Sequence, residues 1–175
     1  HGHVVGNATP RRPQCPEGAG RHQVGGGEHR IQVWVAPEQC SHGSDAALLA
    51  EVAHLDEADL LPKIRAHEIL VAESDSVPAG LLRFDLTWSA VPFIAQLRVL
   101  EAYRRQGVGQ ALLRAVEERA RERGSIAVLS SIALGSDRTA ALGWHLAMGF
   151  EGFGVVDGMF PGEQTEAFYV KILEP

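Results

Sequence analysis

Apolar and polar positions along the chain alternate with the two-residue period of a β-strand in several segments. In the first, Ile31, Val33 and Val35 alternate with Gln32 and Trp34. Other short apolar runs are bounded by turn-forming residues, as strands are. The pattern predicts strands at 30–35, 68–73, 79–87, 93–99, 126–130, 153–156 and 166–172.

A helical period is clearest over 107–123, where Val108, Leu112 and Val116 share one face and Gly124 provides a C-terminal stop. Three shorter helices are predicted. One runs from Ser44 or Asp45 to 54, one covers 56–66 with Pro62 as a break or kink, and one runs from 136 or 137 to 148.

The order of these elements predicts a mixed sheet. Turn residues 74–76 should join two neighbouring strands into an antiparallel hairpin. The helix at 107–123 lies between the strands 93–99 and 126–130, which should therefore run parallel in a right-handed βαβ unit. Residues 1–28 are rich in Gly, Pro, Arg, His and Gln and are expected to form a flexible tail, so 29–175 is predicted to be a single domain.

Composition limits the class of partner. The 175 residues carry a formal net charge of −6, which argues against nucleic-acid binding, and no apolar run is long enough to span a membrane. Cys15 and Cys40 have no metal-type spacing, and the histidines of the tail are irregularly spaced. We therefore expect a cytoplasmic protein with no metal.

The run Arg104-Arg105-Gln106-Gly107-Val108-Gly109 lies between a predicted strand and the longest predicted helix. Free N–H groups at a helix start, glycines and arginines together favour a phosphate ligand. A P-loop is excluded because no Lys-Ser or Lys-Thr follows the glycines. A dinucleotide fingerprint fails because Leu112 occupies its third glycine position.

The same run resembles the Q/R-x-x-G-x-G/A turn of the GNAT acyltransferase superfamily, which holds the pyrophosphate of CoA. The run AALGWHLAMGF at 140–150 is similar to that family's A-x-x-x-F/L-Y-x-x-L/M-G-F helix. Residues 97–103 resemble the family's approach to the turn, and 166–171 resemble the closing strand of small bacterial members. The resemblance extends from Arg30 to the C-terminus.

The resemblance implies an α/β (α+β) fold with a mixed, mostly antiparallel central sheet of about six to seven strands, helices on both faces, and a splay at the acetyl-CoA site. It implies that backbone groups of Leu97 and Val99 pair with the pantetheine arm, and that the N–H of Arg98 or Val99 stabilises the oxyanion. The implied CoA-binding residues are Leu97, Arg98, Val99, Arg104, Arg105, Gln106, Gly107, Val108, Gly109 and Gln110.

His145 stands where the family usually has a tyrosine that protonates the leaving thiolate. The resemblance therefore implies that His145 is a possible general acid, or a spacer beside CoA. The strand 93–99 lacks the usual glutamate base. Candidate acids near the cleft are Asp85, Glu101, Asp137 and Glu166, and candidate residues of the substrate pocket are Trp88, Phe93 and Trp144.

The function implied is acetyl-CoA-dependent N-acetyl transfer to a primary amine of a small molecule, by direct attack on the thioester. The alternatives are a protein or peptide N-acetyltransferase, a non-catalytic acyl-CoA-binding regulatory module, and a nucleotide-binding protein with a similar turn. A monomer or a homodimer is expected.

Overall fold

A computed structural model of the protein describes residues 22–23, 30–36, 57–75, 77–134, 139–160 and 164–174. Within these ranges the chain forms one sheet, three α-helices and a short 3-10 helix at Glu101–Tyr103. The strands are β1 His22–Gln23, β2 Ile31–Val35, β3 Ile69–Ser74, β4 Val77–Thr87, β5 Val91–Val99, β6 Ala127–Ala133, β7 Glu151–Phe160 and β8 Gln164–Ile172. The helices are α1 Glu57–Arg65, α2 Val108–Glu122 and α3 Thr139–Ala147.

The sheet has the order β1-β2-β3-β4-β5-β6-β8-β7. Every neighbouring pair is antiparallel except β5 and β6, which are parallel and are connected through α2. The predicted mixed, mostly antiparallel sheet is thus confirmed. The seven predicted strands are all present, and the two-residue β1 pairs with β2 from within the segment 1–28 that was expected to be a tail.

Strand β7 is longer than its prediction of 153–156, and β8 begins two residues before its prediction of 166–172. The register between these two strands shifts at 152–154 and again at 156–160. Each shift breaks the two-residue alternation on which a strand prediction depends, since an inserted residue moves the following side chains to the other face.

Pro62 lies inside α1 and does not end it, so of the break or kink predicted there the break is wrong and the kink stays a prediction. Proline removes one backbone hydrogen bond of the helix. Leu60 and Ile64 on either side of it are fully buried against the sheet, and this burial stabilises the helix despite that loss. The helix predicted to end at 54 lies outside the described residues.

The sheet is covered on both faces, as predicted. Helix α1 packs on one face, called here the α1 face, together with buried residues of β2, β3 and β4: Trp34, Ile69, Val71 and Leu81. Helices α2 and α3 pack on the opposite face, called the α2 face. The larger core lies there and includes Val33, Leu82, Phe84, Ile94, Leu112, Val116, Val128, Phe150 and Tyr169.

Gly80 allows α2 to approach β4 closely. A Cβ atom at this position would lie 2.8 Å from the carbonyl oxygen of Arg98 and 3.0 Å from Cγ1 of Val108. Such separations are shorter than van der Waals contact, so a larger residue would push α2 away from the sheet. This contact fixes the N-terminus of α2 relative to the end of β5.

Candidate active site

Strands β5 and β6 touch only at one end. Their ladder consists of two pairs, Phe93 with Leu129 and Ile94 with Ser130. Beyond them, residues 95–99 and 131–133 form no ladder pairs with each other, and we call this opening the split. Ala95 marks its vertex, because the register between β4 and β5 shifts there by one residue, which is a β-bulge.

The backbone of β5 presents polar groups to the split. The N–H of Leu100 donates to the carbonyl of Ala79 on β4, at 2.9 Å. Strand alternation then directs the backbone groups of Arg98 toward β4 and those of Leu97 and Val99 toward the split. The carbonyl of Val99 accepts a hydrogen bond from Nε of Arg104, at 3.3 Å. Of the two N–H groups expected to stabilise an oxyanion, that of Val99 therefore faces the split.

The predicted phosphate turn lies where β5 ends and α2 begins. Arg105 has φ +63° and Gly107 has φ +88°, so two residues adopt left-handed conformations before the helix. The first backbone bond of the helix runs from the N–H of Ala111 to the carbonyl of Gly107. No side chain among the described residues caps this helix start, and its first turn carries no acid. The N–H groups of Val108, Gly109 and Gln110 are thus available to an anion.

His145 lies on the α2 face near the vertex of the split and is only 8% exposed. Its Nδ1 lies 2.8 Å from the carbonyl oxygen of Ala141, and its Nε2 lies 2.9 Å from Oγ of Ser130. Ser130 forms the last ladder pair before the split opens, with Ile94. The ring also packs against three aromatic side chains: Trp144, Phe150 and Tyr169.

These contacts determine the protonation of the neutral His145 ring. A carbonyl oxygen can only accept, so Nδ1 carries the proton and Nε2 accepts the hydroxyl proton of Ser130. Burial lowers the pKa of His145 below its usual 6.5, although the hydrogen bond to Ala141 acts in the opposite direction. His145 is therefore neutral near pH 7, and in this form its Nε2 has no proton to donate.

The three aromatic residues predicted for a substrate pocket lie in three different places. Trp144 packs on the α2 face, where a Cβ on Gly109 would lie 3.2 Å from its Nε1. Trp88 is 83% exposed at the tip of the β4–β5 hairpin. Phe93 lies at the vertex of the split, on the α1 face, since it pairs with Asp85.

A row of phenylalanines crosses the α1 face beside the vertex. The ring centroids of Phe93 and Phe168 are 6.4 Å apart, and those of Phe168 and Phe153 are 6.1 Å apart. Sequence reasoning included Phe168 in a family motif but gave it no role. Only the pairing of β6 with β8 brings it next to Phe93, and no local pattern encodes that pairing.

The four candidate acids differ in their surroundings. Asp85 accepts a hydrogen bond from Lys63, and Glu101 is exposed in the 3-10 helix. Asp137 lies outside the described residues. Glu166 is only 7% exposed on β8, where pairing with Ala133 places it on the α1 face at the wall of the split. Among the described acids, Glu166 is thus buried beside the opening.

Two further properties concern the described residues alone. They contain no group of three or more His, Cys, Asp or Glu side chains that could hold a metal ion. None of their helices has the length and apolar character needed to cross a membrane.

A split between two parallel strands, followed by an open helix start, is the arrangement that the sequence resemblance implied. Residues 38–150 match the model of the acetyltransferase (GNAT) family. The chain belongs to the GNAT acetyltransferase family. It is accordingly an acetyltransferase. No curated protein matches the chain.

Solved structures share this fold at low sequence identity. The ribosomal-protein-S18-alanine N-acetyltransferase from Escherichia coli is 13% identical, with a TM-score of 0.65 over 83% of this chain and 95% of that one. The IAA acetyltransferase from Bacillus cereus is 17% identical, with a TM-score of 0.63 over 82% and 99%. The yncA protein from Salmonella typhimurium, determined with its cofactor acetyl-CoA, is 18% identical, with a TM-score of 0.65 over 83% and 95%.

Proposed function

We propose that this acetyltransferase transfers the acetyl group of acetyl-CoA to a primary amine of a small molecule, by direct attack of the amine on the thioester. The split is the observation that carries the proposal. It joins an open helix start at one end to a buried vertex at the other. A phosphate group and a thioester of one extended molecule fit these two ends.

The residues at the turn fit the pyrophosphate of CoA. The N–H groups of 108–110 are uncapped, and Arg104 and Arg105 are exposed beside them. A Cβ on Gly107 would meet only Cδ1 of Ile31, at 3.7 Å, so the approach to this turn is open. The backbone groups of Leu97 and the N–H of Val99 are available to the amide groups of a pantetheine arm in the split, whereas the carbonyl of Val99 already accepts from Arg104.

The acceptor amine approaches from the α1 face. On the α2 face the vertex is filled by Ser130 and His145, which are 2% and 8% exposed. On the α1 face, Phe93 and Phe168 form an apolar wall next to the vertex. An acceptor lying against this wall can direct its nitrogen at a thioester held in the split.

The attacking nitrogen must be neutral, although a free alkyl ammonium has a pKa of about 10.4. We assign Glu166 as the base, acting through water, because it is buried on the α1 face at the wall of the split. Of the two N–H groups of β5 that face the split, that of Leu97 lies nearer the vertex, and it stabilises the negative charge on the carbonyl oxygen. One proton of the ammonium passes through water and Glu166 to solvent, the new N–C bond forms, the C–S bond breaks, and a second proton from nitrogen ends on the thiolate.

His145 remains a candidate donor to the sulfur. It can donate at Nε2 only as the imidazolium, and burial disfavours that form. A contribution of His145 to turnover should therefore increase as the pH falls toward its lowered pKa. If His145 is the acid, His145→Phe lowers turnover by about tenfold or more. Unchanged turnover at every pH would assign it to packing beside CoA.

The test is the release of free thiol from acetyl-CoA across a panel of small primary amines and peptides, with mass spectrometry to detect the acetylated product. We expect turnover with small amines. Glu166→Gln should lower kcat by about a hundredfold, within the usual range for a general base. Glu151→Gln, at an exposed acid of β7, is the matched control and should leave kcat unchanged.

Three outcomes contradict parts of the proposal. Turnover of peptides alone would favour a protein N-acetyltransferase. Binding of CoA without turnover of any amine would favour the non-catalytic module. Equal activity of Glu166→Gln and the wild type would remove Glu166 from the mechanism and leave the acetyl transfer intact.

A further inference from the structure

Arg83 is half-buried on β4, and its Nε is a buried donor that the proposed acetyl transfer does not use. Its Nε is shielded from solvent and has no hydrogen-bond partner among the described residues. A guanidinium N–H that is buried without an acceptor destabilises the fold, because it has lost water and gained nothing in exchange. A ligand that accepts a hydrogen bond from this Nε–H would remove the cost of burying it.

The sheet register places Arg83 on the α1 face beside the vertex of the split. Arg83 pairs with Ile69 on one side and with Gln96 on the other. It lies between Leu81, which packs in the core of the α1 face, and Asp85, which contacts Lys63 of α1. The bulge at Ala95 follows immediately, so Arg83 lies across β5 from the point where the split begins.

The neighbouring charges already satisfy one another. Lys63 donates to Glu68 at 2.9 Å and also to Asp85. Burial acts against the charge of Lys63, but its hydrogen bonds to Asp85 and Glu68 outweigh burial and raise its pKa. Lys63 thus stays cationic between the two carboxylates. The two cations, Lys63 and Arg83, balance the two carboxylates, Glu68 and Asp85, so the cluster has no net charge. A ligand with one negative charge is therefore better accommodated beside it than a ligand with two.

We propose that Arg83 binds a carboxylate of the acceptor, and that the acceptor class is therefore an amino acid or a similar small amine that carries a carboxylate. This inference rests on the proposed acetyl transfer to a small amine. A guanidinium fork matches the two oxygens of a carboxylate. A phosphate dianion fits less well, because Glu68 and Asp85 lie on the same face and the turn before α2 is the built phosphate site.

The register also limits the spacing between the two groups of the acceptor. Arg83 adjoins Phe84, which pairs with Ile94, so Arg83 lies roughly 3.4 Å along and about 4.8 Å across the strands from the vertex. The amine must reach the vertex while the carboxylate reaches Arg83. A separation of a few bonds between nitrogen and carboxylate fits this distance, and the phenylalanine row accommodates the rest of the molecule.

The kinetic test compares each amino acid with its own carboxamide, so that only the negative charge changes. In the wild type, kcat/KM should favour the carboxylate of a pair by about ten- to a hundredfold, as expected for a hydrogen-bonded charge pair. Arg83→Met should abolish the preference, and Arg83→Lys should retain part of it. Arg114→Met, at an exposed arginine of α2, should keep the full preference.

A binding test does not depend on turnover. Calorimetry in the presence of CoA compares N-acetyl amino acids with N-acetyl amino acid amides. The wild type should bind the carboxylates at least about tenfold more tightly than the amides. Arg83→Met should bind the two kinds of ligand equally. Thermal unfolding should show that Arg83→Met is at least as stable as the wild type, since it removes an N–H that lacks a partner.

The outcomes separate this inference from the proposed function. Turnover of amines with no preference for the carboxylate would overturn the role of Arg83 and leave the acetyl transfer standing. Absence of turnover, together with carboxylate binding that depends on Arg83, would support the anion site and overturn the transfer to small amines. A preference that survives in Arg83→Met would assign carboxylate recognition to another residue and refute the inference.

Discussion

Gly107→Val tests the phosphate turn, and Gly124→Val provides its matched control. Both glycines have positive φ, +88° at Gly107 and +73° at Gly124, and they flank the same helix, α2. An added Cβ meets only Cδ1 of Ile31 at 3.7 Å at the first position and nothing within 4 Å at the second. The Cβ atom of neither variant therefore clashes, and both substitutions impose a similar backbone cost.

The expected magnitudes separate stability from ligand binding. A side chain in the left-handed region costs about 1–2 kcal/mol, which lowers Tm by about 2–8 °C for a chain of this size. Both variants should show this loss. Gly107→Val also places its side chain where the pyrophosphate must approach the N–H groups of 108–110. The loss of one charge-assisted hydrogen bond should raise the KM for acetyl-CoA by roughly ten- to a hundredfold.

The assay is thiol release at varied acetyl-CoA concentration, with thermal unfolding of each variant measured beside it. Gly124→Val should keep the wild-type KM although it is destabilised. An unchanged KM in Gly107→Val would refute the assignment of the pyrophosphate to this turn. An equal rise in both variants would show that the effect comes from loss of stability and not from the site.

Two further predictions concern stability. His145 has a lowered pKa in the folded protein, so the unfolded chain binds the proton more readily. The free energy of unfolding of the wild type should therefore fall as the pH drops through 6.5, by at most about 1.36 kcal/mol per pH unit. His145→Phe should lack this pH-dependent loss. Parallel pH profiles of urea unfolding for the two proteins would contradict the buried, neutral His145. Gly80→Ala should destabilise the fold by about 1–3 kcal/mol, because its Cβ would lie 2.8 Å from the carbonyl oxygen of Arg98 and 3.0 Å from Cγ1 of Val108. Gly143→Ala in α3 is the control, since its Cβ would meet nothing within 4 Å. Equal unfolding midpoints for these two variants would contradict the close packing of α2 on β4.

The sequence predicted those features that depend on local chemistry. The glycines and arginines before α2 define the turn by themselves, and the alternation in β2, β4 and β5 defines strands whose pairing follows from short connections. The departure of β7 from its prediction has a physical cause. Its two register shifts interrupt alternation, and β8 compensates by pairing with it across most of its length.

The acceptor side of the site could not be predicted, because long-range pairing builds it. Arg83 reads as an ordinary polar residue of a strand until the register places it beside the bulge at Ala95. Phe168 contacts Phe93 only because β8 pairs with β6 as well as with β7, the strand that precedes it in sequence. His145 was recognised from a motif, but its partner Ser130 comes from a strand 15 residues earlier and has no local signal.

The split between β5 and β6 as the site of acetyl-CoA is the central claim, and amide hydrogen exchange tests it residue by residue. Saturating acetyl-CoA should slow exchange at Leu97 and Val99, whose N–H groups face the split, and at 108–110, whose N–H groups are uncapped. The N–H of Leu100, already bonded to Ala79, should change little. Unchanged exchange at Val99 and at 108–110 under saturating acetyl-CoA would contradict the account.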